Sequence, residues 1–442
     1  MLVEFSVQNY ASFNSSQTLS MLASNTTKEN FNKTNIIPVD KFGIENLVKS
    51  AAVFGANASG KSNLISSLYT LRKIVLDSLT TAESDNLGLV LPFLIKENVF
   101  DKPSEFEISF LHKGNLYRYG ISVLKGKIDE EWLYWTKTSR ETLLFQRTGQ
   151  KVKINQRSFS EAKDFIKSNK SGDFYVEKTR DNVPFISVLS QFNGEKSRNV
   201  VDWFLKLNIV SGIHEIGFKG FTIELLDSNP AFRSWALNIL SSLQIQDINI
   251  IEVDREDPIK VANQDSELND AISKVNSLIK KKSFKEKKVE IVKKADGDSE
   301  EYTIPLAFES QGTRKLIYLL GPIFDVINNG EVLIIDEFDN KFHSLLSKFI
   351  LELYHRENNS QSQLIITCHD TNLLTKNLLR RDQIWFIEKN LKHESELYSL
   401  LEYKEHYTRK DGTYSKDYLE GKYGAVPLFK SLDELQVALN GE

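Results

Sequence analysis

Apolar and polar positions alternate at the start of the chain. Val3, Phe5 and Val7 are separated by Glu4 and Ser6, which predicts a strand over residues 2–7 and a turn out of it at Asn9-Tyr10-Ala11-Ser12-Phe13. Residues 14–48 are polar and rich in Ser, Thr and Asn, and read as loop with short elements. Ala51-Ala52-Val53-Phe54 is a short apolar run, a buried strand. Leu64, Ile65, Leu68 and Leu71 then recur at helical spacing, so residues 50–77 read as strand, loop and helix. After an irregular stretch at 78–104, Phe106, Ile108 and Phe110 alternate, as do Tyr117, Tyr119, Ile121 and Val123. His112-Lys113-Gly114-Asn115 lies between them, and the pattern is that of a β-hairpin. Residues 131–136 and 143–147 add strands, which gives an N-terminal lobe over 1–150 with a mixed or antiparallel sheet.

From about 155 to 245 the pattern is helical. Val200, Val201, Phe204 and Leu207 fall on one face, and Asn229-Pro230 starts a helix that continues through Phe232, Ala236, Ile239, Leu240 and Leu243. Residues 247–253 alternate as a strand. The charged stretch 255–300, with Asp296-Gly297-Asp298 as a turn, reads as a helix and a hairpin, so 151–300 is taken as an insertion. From 301 the pattern is α/β. Strand-like residues 302–308 precede a helix carrying Leu316, Leu319, Leu320, Ile323 and Phe324. Val332-Leu333-Ile334-Ile335 is a continuous apolar run, a strand covered on both faces. A helix over about 344–355 and a second such strand, Leu364-Ile365-Ile366-Thr367, lead to His369. The order implies a parallel sheet with crossovers, whose ligands bind at the carboxyl ends of the strands. The fold class is α/β, with a C-terminal lobe over 301–442.

Composition narrows the setting. Of 442 residues, 40% are hydrophobic and 26% charged, as in soluble globular proteins. No apolar run is long enough to span a bilayer, and the first residues lack the basic and apolar regions of a signal peptide. Cys368 is the single cysteine, so an internal disulfide framework and a cysteine-based metal site are excluded and a cytoplasmic location is expected. Net charge is −4, which excludes a generic polyanion binder. Residues 280–294 are the exception, with eight lysines against Glu286 and Glu290. They read as a solvated face or as a patch for nucleic acid or a partner.

The candidate chemistry begins at Gly55-Ala56-Asn57-Ala58-Ser59-Gly60-Lys61-Ser62-Asn63, which fits the phosphate-binding pattern G-x-x-x-x-G-K-S between a strand and a helix. Backbone N–H groups at a helix N-terminus favour an anion. Lys61 is placed to reach the outer phosphates of ATP, and the Ser62 hydroxyl to ligate Mg²⁺. Asp336 and Glu337 follow the apolar run at 332–335. Asp336 is placed to hold Mg²⁺ through water, and Glu337 to orient or deprotonate the attacking water. His369 ends the next strand, from which an imidazole reaches the γ-phosphate.

With these residues in place the chain resembles the ABC-type ATPases that include the SMC, Rad50, RecF and OLD-like proteins. Gly55 to Ser62 matches their Walker A motif, residues 332–337 their Walker B, and His369 their switch histidine. Glu309-Ser310-Gln311-Gly312-Thr313 matches their signature, and Asp339-Asn340 stands where they have a D-loop. The opening residues 3–13, Gln311-Gly312-Thr313-Arg314-Lys315 and Asp336-Glu337-Phe338-Asp339-Asn340-Lys341-Phe342-His343 resemble the OLD-like AAA ATPases of phage defence, and Arg381-Asp382-Gln383-Ile384-Trp385-Phe386 and Tyr418-Leu419-x-Gly421-x-Tyr423-Gly424-Ala425-Val426-Pro427 also resemble their AbiLi/RloA abortive-infection subfamily. The resemblance covers both ends and little of 155–300, and no Q-loop glutamine stands out. It implies ATP hydrolysis with Mg²⁺ in a homodimer or higher homo-oligomer. Ser310, Gly312 and Thr313 of one copy would contact the γ-phosphate held by Lys61 of another. It also implies a separately encoded effector. Glu388 could mimic the first glutamate of a Toprim nuclease, but no Asp-x-Asp follows it, so a Toprim, other nuclease or toxin activity is expected on another chain. The alternatives are a RecF- or Rad50-like ATPase on DNA, for which no sustained heptads are seen, and an ATP-locked scaffold with incidental turnover. The aromatic tail at 398–429 is expected to pack on the core or a partner.

Overall fold

The computed structural model describes residues 1–25, 34–79, 86–95, 99–211, 216–254, 285–294, 300–357, 361–403 and 414–427. They form two units, residues 1–213 with 326–442, and residues 214–325. The sequence boundary at 150 falls inside the first unit's large sheet, and that at 300 inside the second unit.

The larger unit holds a nine-stranded antiparallel sheet. Leu2–Gln8 pairs with Gln17–Ser20 on one side and Ser104–His112 on the other. The sheet continues through Asn115–Leu124, Lys127–Thr136, Glu141–Thr148 and Lys151–Ile154 to Phe174–Val176 and Ile166–Ser168. The alternation read in the sequence follows from this sheet, which buries Phe106, Ile108, Phe110, Tyr117, Tyr119 and Ile121. The helical pattern expected from 155 starts later, because the sheet runs on to Val176. The helices there are Phe185–Gln191 and Glu195–Leu205.

The second sheet has six strands, ordered Leu207–Ser211, Val332–Asp336, Gln363–Thr367, Ser50–Phe54, Ile384–Lys389 and Ser395–Ser399. Neighbours are parallel except the last pair. Leu207 is thus the first residue of an edge strand, where periodicity alone placed it on a helix. The strand is short, and the preceding helix ends only two residues before it. Gln363–Thr367 lies between the loop strand Ser50–Phe54 and the carboxylate strand Val332–Asp336. Val53, Ile334, Ile365 and the inner face of helix Lys61–Asp77 share one core with Phe5, Phe106 and Tyr119 of the antiparallel sheet. Buried Gln363 also joins the sheets: its Oε1 accepts from the Leu2 amide at 2.6 Å and its amide donates to the Leu2 carbonyl at 3.0 Å.

A buried charge pair organises the antiparallel sheet. The Glu131 carboxylate accepts from the amides of Phe185 (2.6 Å) and Ile186 (3.0 Å) at a helix start. The Arg147 guanidinium lies 3.6 Å away and donates to the carbonyls of Gly149, Val183 and Arg180. Burial pushes Glu131 above the usual carboxylate range and Arg147 below its own, so desolvation outweighs their attraction. At the C-terminal side, Tyr418 stacks on Phe386 at 5.4 Å, and Tyr398, Tyr403 and Tyr423 close the cluster, so the described part of the aromatic tail packs on the core.

The smaller unit contains helices Ile216–Ser228, Pro230–Leu240 and most of Gln311–Asn329, with an antiparallel sheet of Asp247–Asp254, Lys285–Lys294 and Glu301–Pro305. The Asn229 side chain accepts from the Phe232 amide at 3.0 Å, the cap expected before Pro230. Phe324 packs on Phe232 and Trp235. The expected helix between 255 and 284, the turn at Asp296-Gly297-Asp298 and the lysines at 280–282 lie outside the described residues. Of the other lysines in the basic stretch, Lys287 pairs with Glu224 (2.7 Å) and Asp227 (2.6 Å), and Lys293 with Glu309 (2.6 Å). Among the described residues no helix is long and apolar enough to cross a membrane.

Candidate functional site

The loop after Ser50–Phe54 is shaped by close packing. A Cβ on Gly55 would stand 2.4 Å from the Ile387 carbonyl oxygen, and one on Gly60 2.4 Å from Ser395 Oγ. Gly60, at φ +118, also has a backbone conformation that favours glycine. Residues remote in sequence hold the loop. Asn63 Nδ2 donates to Ser12 Oγ at 2.7 Å, Ser12 Oγ and Ser395 Oγ are hydrogen-bonded to each other at 2.7 Å, and the Ser395 hydroxyl donates to the Ser59 carbonyl. Helix Lys61–Asp77 begins at Gly60 with no side-chain cap among the described residues, which leaves its first amides for a ligand. The Lys61 ammonium donates to the carbonyls of Gly55 (2.9 Å) and Ala56 (3.0 Å). Burial lowers its pKa, while Asp336, Asp339 and Glu337 pull it back up.

The carboxylates are placed by the neighbouring strand. Buried Thr367 donates its hydroxyl to Asp336 Oδ1 at 2.5 Å and accepts the Glu337 amide at 2.8 Å. Glu337 sits at φ +51, in the left-handed region, and its Oε2 accepts from Asn340 Nδ2 at 3.1 Å. Asp339 Oδ2 accepts the amides of His369 (2.8 Å) and Asp370 (2.6 Å), which ties the two strand ends together. Burial, then Lys61, lower the His369 pKa, so its imidazole is neutral near pH 7.

One cavity of about 720 Å³ is lined by Asn57, Ala58, Ser59, Gly60, Lys61, Ser62 and Asn63 of the loop, by Glu337, Asp339 and Asn340, and by His369 and Lys389. A second, of about 840 Å³, is lined by Gly55 to Ser59, His369, Lys389 and tail residues such as Tyr418 and Val426. Asp336, held by Thr367, is next in sequence to Glu337 of the first cavity's lining. Ser310, Gly312 and Thr313 belong to the other unit. There Ser310 Oγ accepts the Thr313 amide at 3.1 Å at the start of helix Gln311–Asn329, and Ser310 is exposed. Sequence reasoning missed Thr367, Lys389, Ser12 and Ser395. Thr367 carried a local signal, a hydroxyl closing an apolar run, but the others depend on which strands are neighbours.

The residues fit a magnesium nucleotide. The loop glycines leave no room for side chains, the first helix amides are uncapped, and a hydroxyl (Ser62), a carboxylate (Asp336) and an ammonium (Lys61) are grouped as such a ligand requires.

No curated protein matches the chain. Among solved structures it is similar to the SMC head domain from Thermotoga maritima, with 11% identity, 90% of this chain and 98% of that chain covered, and a TM-score of 0.39. An SmcHead bound to the C-winged helix domain of ScpA aligns at 13% identity, over 90% and 97%, with a TM-score of 0.43. The recombination mediator protein RecF with ATP aligns at 13%, over 90% and 97%, with a TM-score of 0.33. The family described as "AAA domain, putative AbiEii toxin, Type IV TA system" matches residues 50–183 and 190–375. That match runs from the loop strand through the carboxylates to His369, and the chain belongs to this AAA-domain family.

Proposed function

We propose that the chain is an ABC-type ATPase that binds and hydrolyses ATP with Mg²⁺ and acts as a sensor or regulator in an antiviral system of the AbiLi/RloA kind, with its effector on another chain. One observation carries the ATPase part: the phosphate loop, Glu337, Asn340 and His369 line one cavity. The antiviral role is supported by the family match and by the motif resemblance at both ends of the chain.

Lys61 would exchange its bonds to the Gly55 and Ala56 carbonyls for phosphate oxygens, a charge-assisted contact. Ser62 and Asp336 would hold Mg²⁺, which when bound neutralises charge on the phosphates. Thr367 fixes Asp336 and the Glu337 backbone, so both carboxylates are oriented before substrate arrives. Glu337, steadied by Asn340, accepts the proton of the attacking water. Neutral His369 presents a hydrogen bond to the γ-phosphate. The composite site is completed by Ser310, Gly312 and Thr313 of a second copy, a reading supported by the exposure of Ser310 at a helix start.

Mixing experiments test this. Ser310→Arg and Lys61→Ala should each be inactive alone. Mixed in equal amounts they should regain about a quarter of wild-type phosphate release, as random pairing in a closed dimer gives. No regain would remove the shared site.

A further inference from the structure

The sequence offered residues 280–294 as a solvated face or as a patch for nucleic acid or a partner. In the structure the two lysines of that stretch with resolved partners, Lys287 and Lys293, are neutralised by carboxylates. Lys288 and Lys294 of that stretch are exposed without a partner among the described residues, and a denser group of such cations lies elsewhere. Segment 137–180 carries eleven Lys or Arg against five Asp or Glu, a net charge of +6 in a chain of net −4. Most of its acids are already engaged. Glu141 forms a two-point pair with Arg118 (2.9 and 2.7 Å), Asp173 pairs with Lys151 and Glu177 with Lys167, and Glu161 caps helix Glu195–Leu205 through the amides of Lys196 and Ser197.

A groove of about 970 Å³ opens where this segment ends the nine-stranded sheet, between the turn before Glu141–Thr148 and the loop after Lys151–Ile154. Arg140, Lys153 and Arg157 line it, all exposed, and among the described residues none of the three makes a hydrogen bond or ion pair. Its one carboxylate, Glu141, is the one held by Arg118. Thr142, Asn155, Gln156 and half-buried Phe174 are also in the lining, beside Leu143 and Ile154.

We propose that this groove binds the phosphodiester backbone of a nucleic acid. Three solvated cations beside a neutralised acid make a surface whose charge only an anion complements. Two guanidinium groups suit phosphate oxygens, and an aromatic edge among cations provides a face for a base. An open groove on a sheet end admits a polymer passing through.

The test is fluorescence anisotropy of the full chain with labelled single-stranded DNA, single-stranded RNA and duplex DNA of equal length, at salt between about 50 and 200 mM. At least one probe should bind, with affinity falling as salt rises. The triple variant Arg140→Glu, Lys153→Glu, Arg157→Glu should weaken that binding at least tenfold and lower the slope of log affinity against log salt by about 2–3. Its melting curve and basal ATP turnover should match wild type, since none of the three side chains has a partner. The control Lys287→Glu should leave the slope unchanged. Failure of all three probes at the lowest salt, or equal affinity and slope in the triple variant, overturns the proposal. Displacement of the probe by poly-glutamate at equal charge concentration also overturns it, in favour of an acidic protein partner.

Discussion

The two sheets of the larger unit put their polar residues in different places. In the six-stranded sheet the central strands are apolar along their length, as in Leu333-Ile334-Ile335 and Leu364-Ile365-Ile366, because both faces are covered. Polar side chains are left to the ends, and there Asp336, Thr367 and the phosphate loop converge. In the nine-stranded sheet every second residue turns outward, so Glu107, Arg118 and Lys153 are spread along the strands and pair across them or remain in solvent. A parallel sheet gathers chemistry at one end, whereas an antiparallel sheet distributes charge over a face.

Two carboxylate substitutions can break this comparison. Glu337→Gln should lower phosphate release by about 10²–10⁴ while ATP affinity, read by calorimetry, stays near wild type. Unchanged turnover would remove Glu337 from the chemistry. The same change in the other sheet, Glu131→Gln, should leave ATP affinity alone yet destabilise the fold by about 3–5 kcal/mol in denaturant titration, because it strands Arg147 in the core. Normal stability in that variant would mean that Arg147 is satisfied by its three carbonyls without the acid.

Thr367→Val tests whether the central strand orients the carboxylates. It keeps the shape of the side chain and removes its bonds to Asp336 and to the Glu337 amide. Turnover should fall about tenfold, with destabilisation of about 1–3 kcal/mol for the buried groups left unpaired. A normal rate would separate the carboxylates from this hydroxyl.

The smallest effect is acid sensitivity at the other end of the same sheet. His355 is fully buried, its Nε2 2.9 Å from Ser50 Oγ, and burial with nearby Lys49 pushes its pKa down to about 3. The unfolded chain therefore takes up this proton first as pH falls. The histidine's contribution is present above pH ~6.5 and is lost toward pH 3, at about 1.4 kcal/mol per pH unit. His355→Gln should flatten this part of the stability profile between about pH 6.5 and 5.5. An unchanged slope would show that the proton is taken up elsewhere.

The phosphate loop and the acids after Ile335 were legible because each is a local pattern, a few residues between a strand and a helix. The hairpin from 106 to 123 was legible because alternation records a wet and a dry face. Strand Leu207–Ser211 was not, because an edge strand this short has no period that separates it from the preceding helix. Nor was the sheet order, in which the histidine strand lies between the loop strand and the carboxylate strand. Lys389, Ser12 and Ser395 reach the site only through that order, so no window along the chain could have found them.

Ser12 and Ser395 meet beneath the loop, each bonded to the other and packed against Gly60. A chain made from its N-terminus exposes Lys61 long before Ser395 exists. The loop therefore lacks one of its supports while more than 300 further residues are made and gains it only when residue 395 has left the ribosome. The site's final shape thus waits until synthesis has passed residue 395, and a truncated product ending before Ser395 would lack this support for the loop.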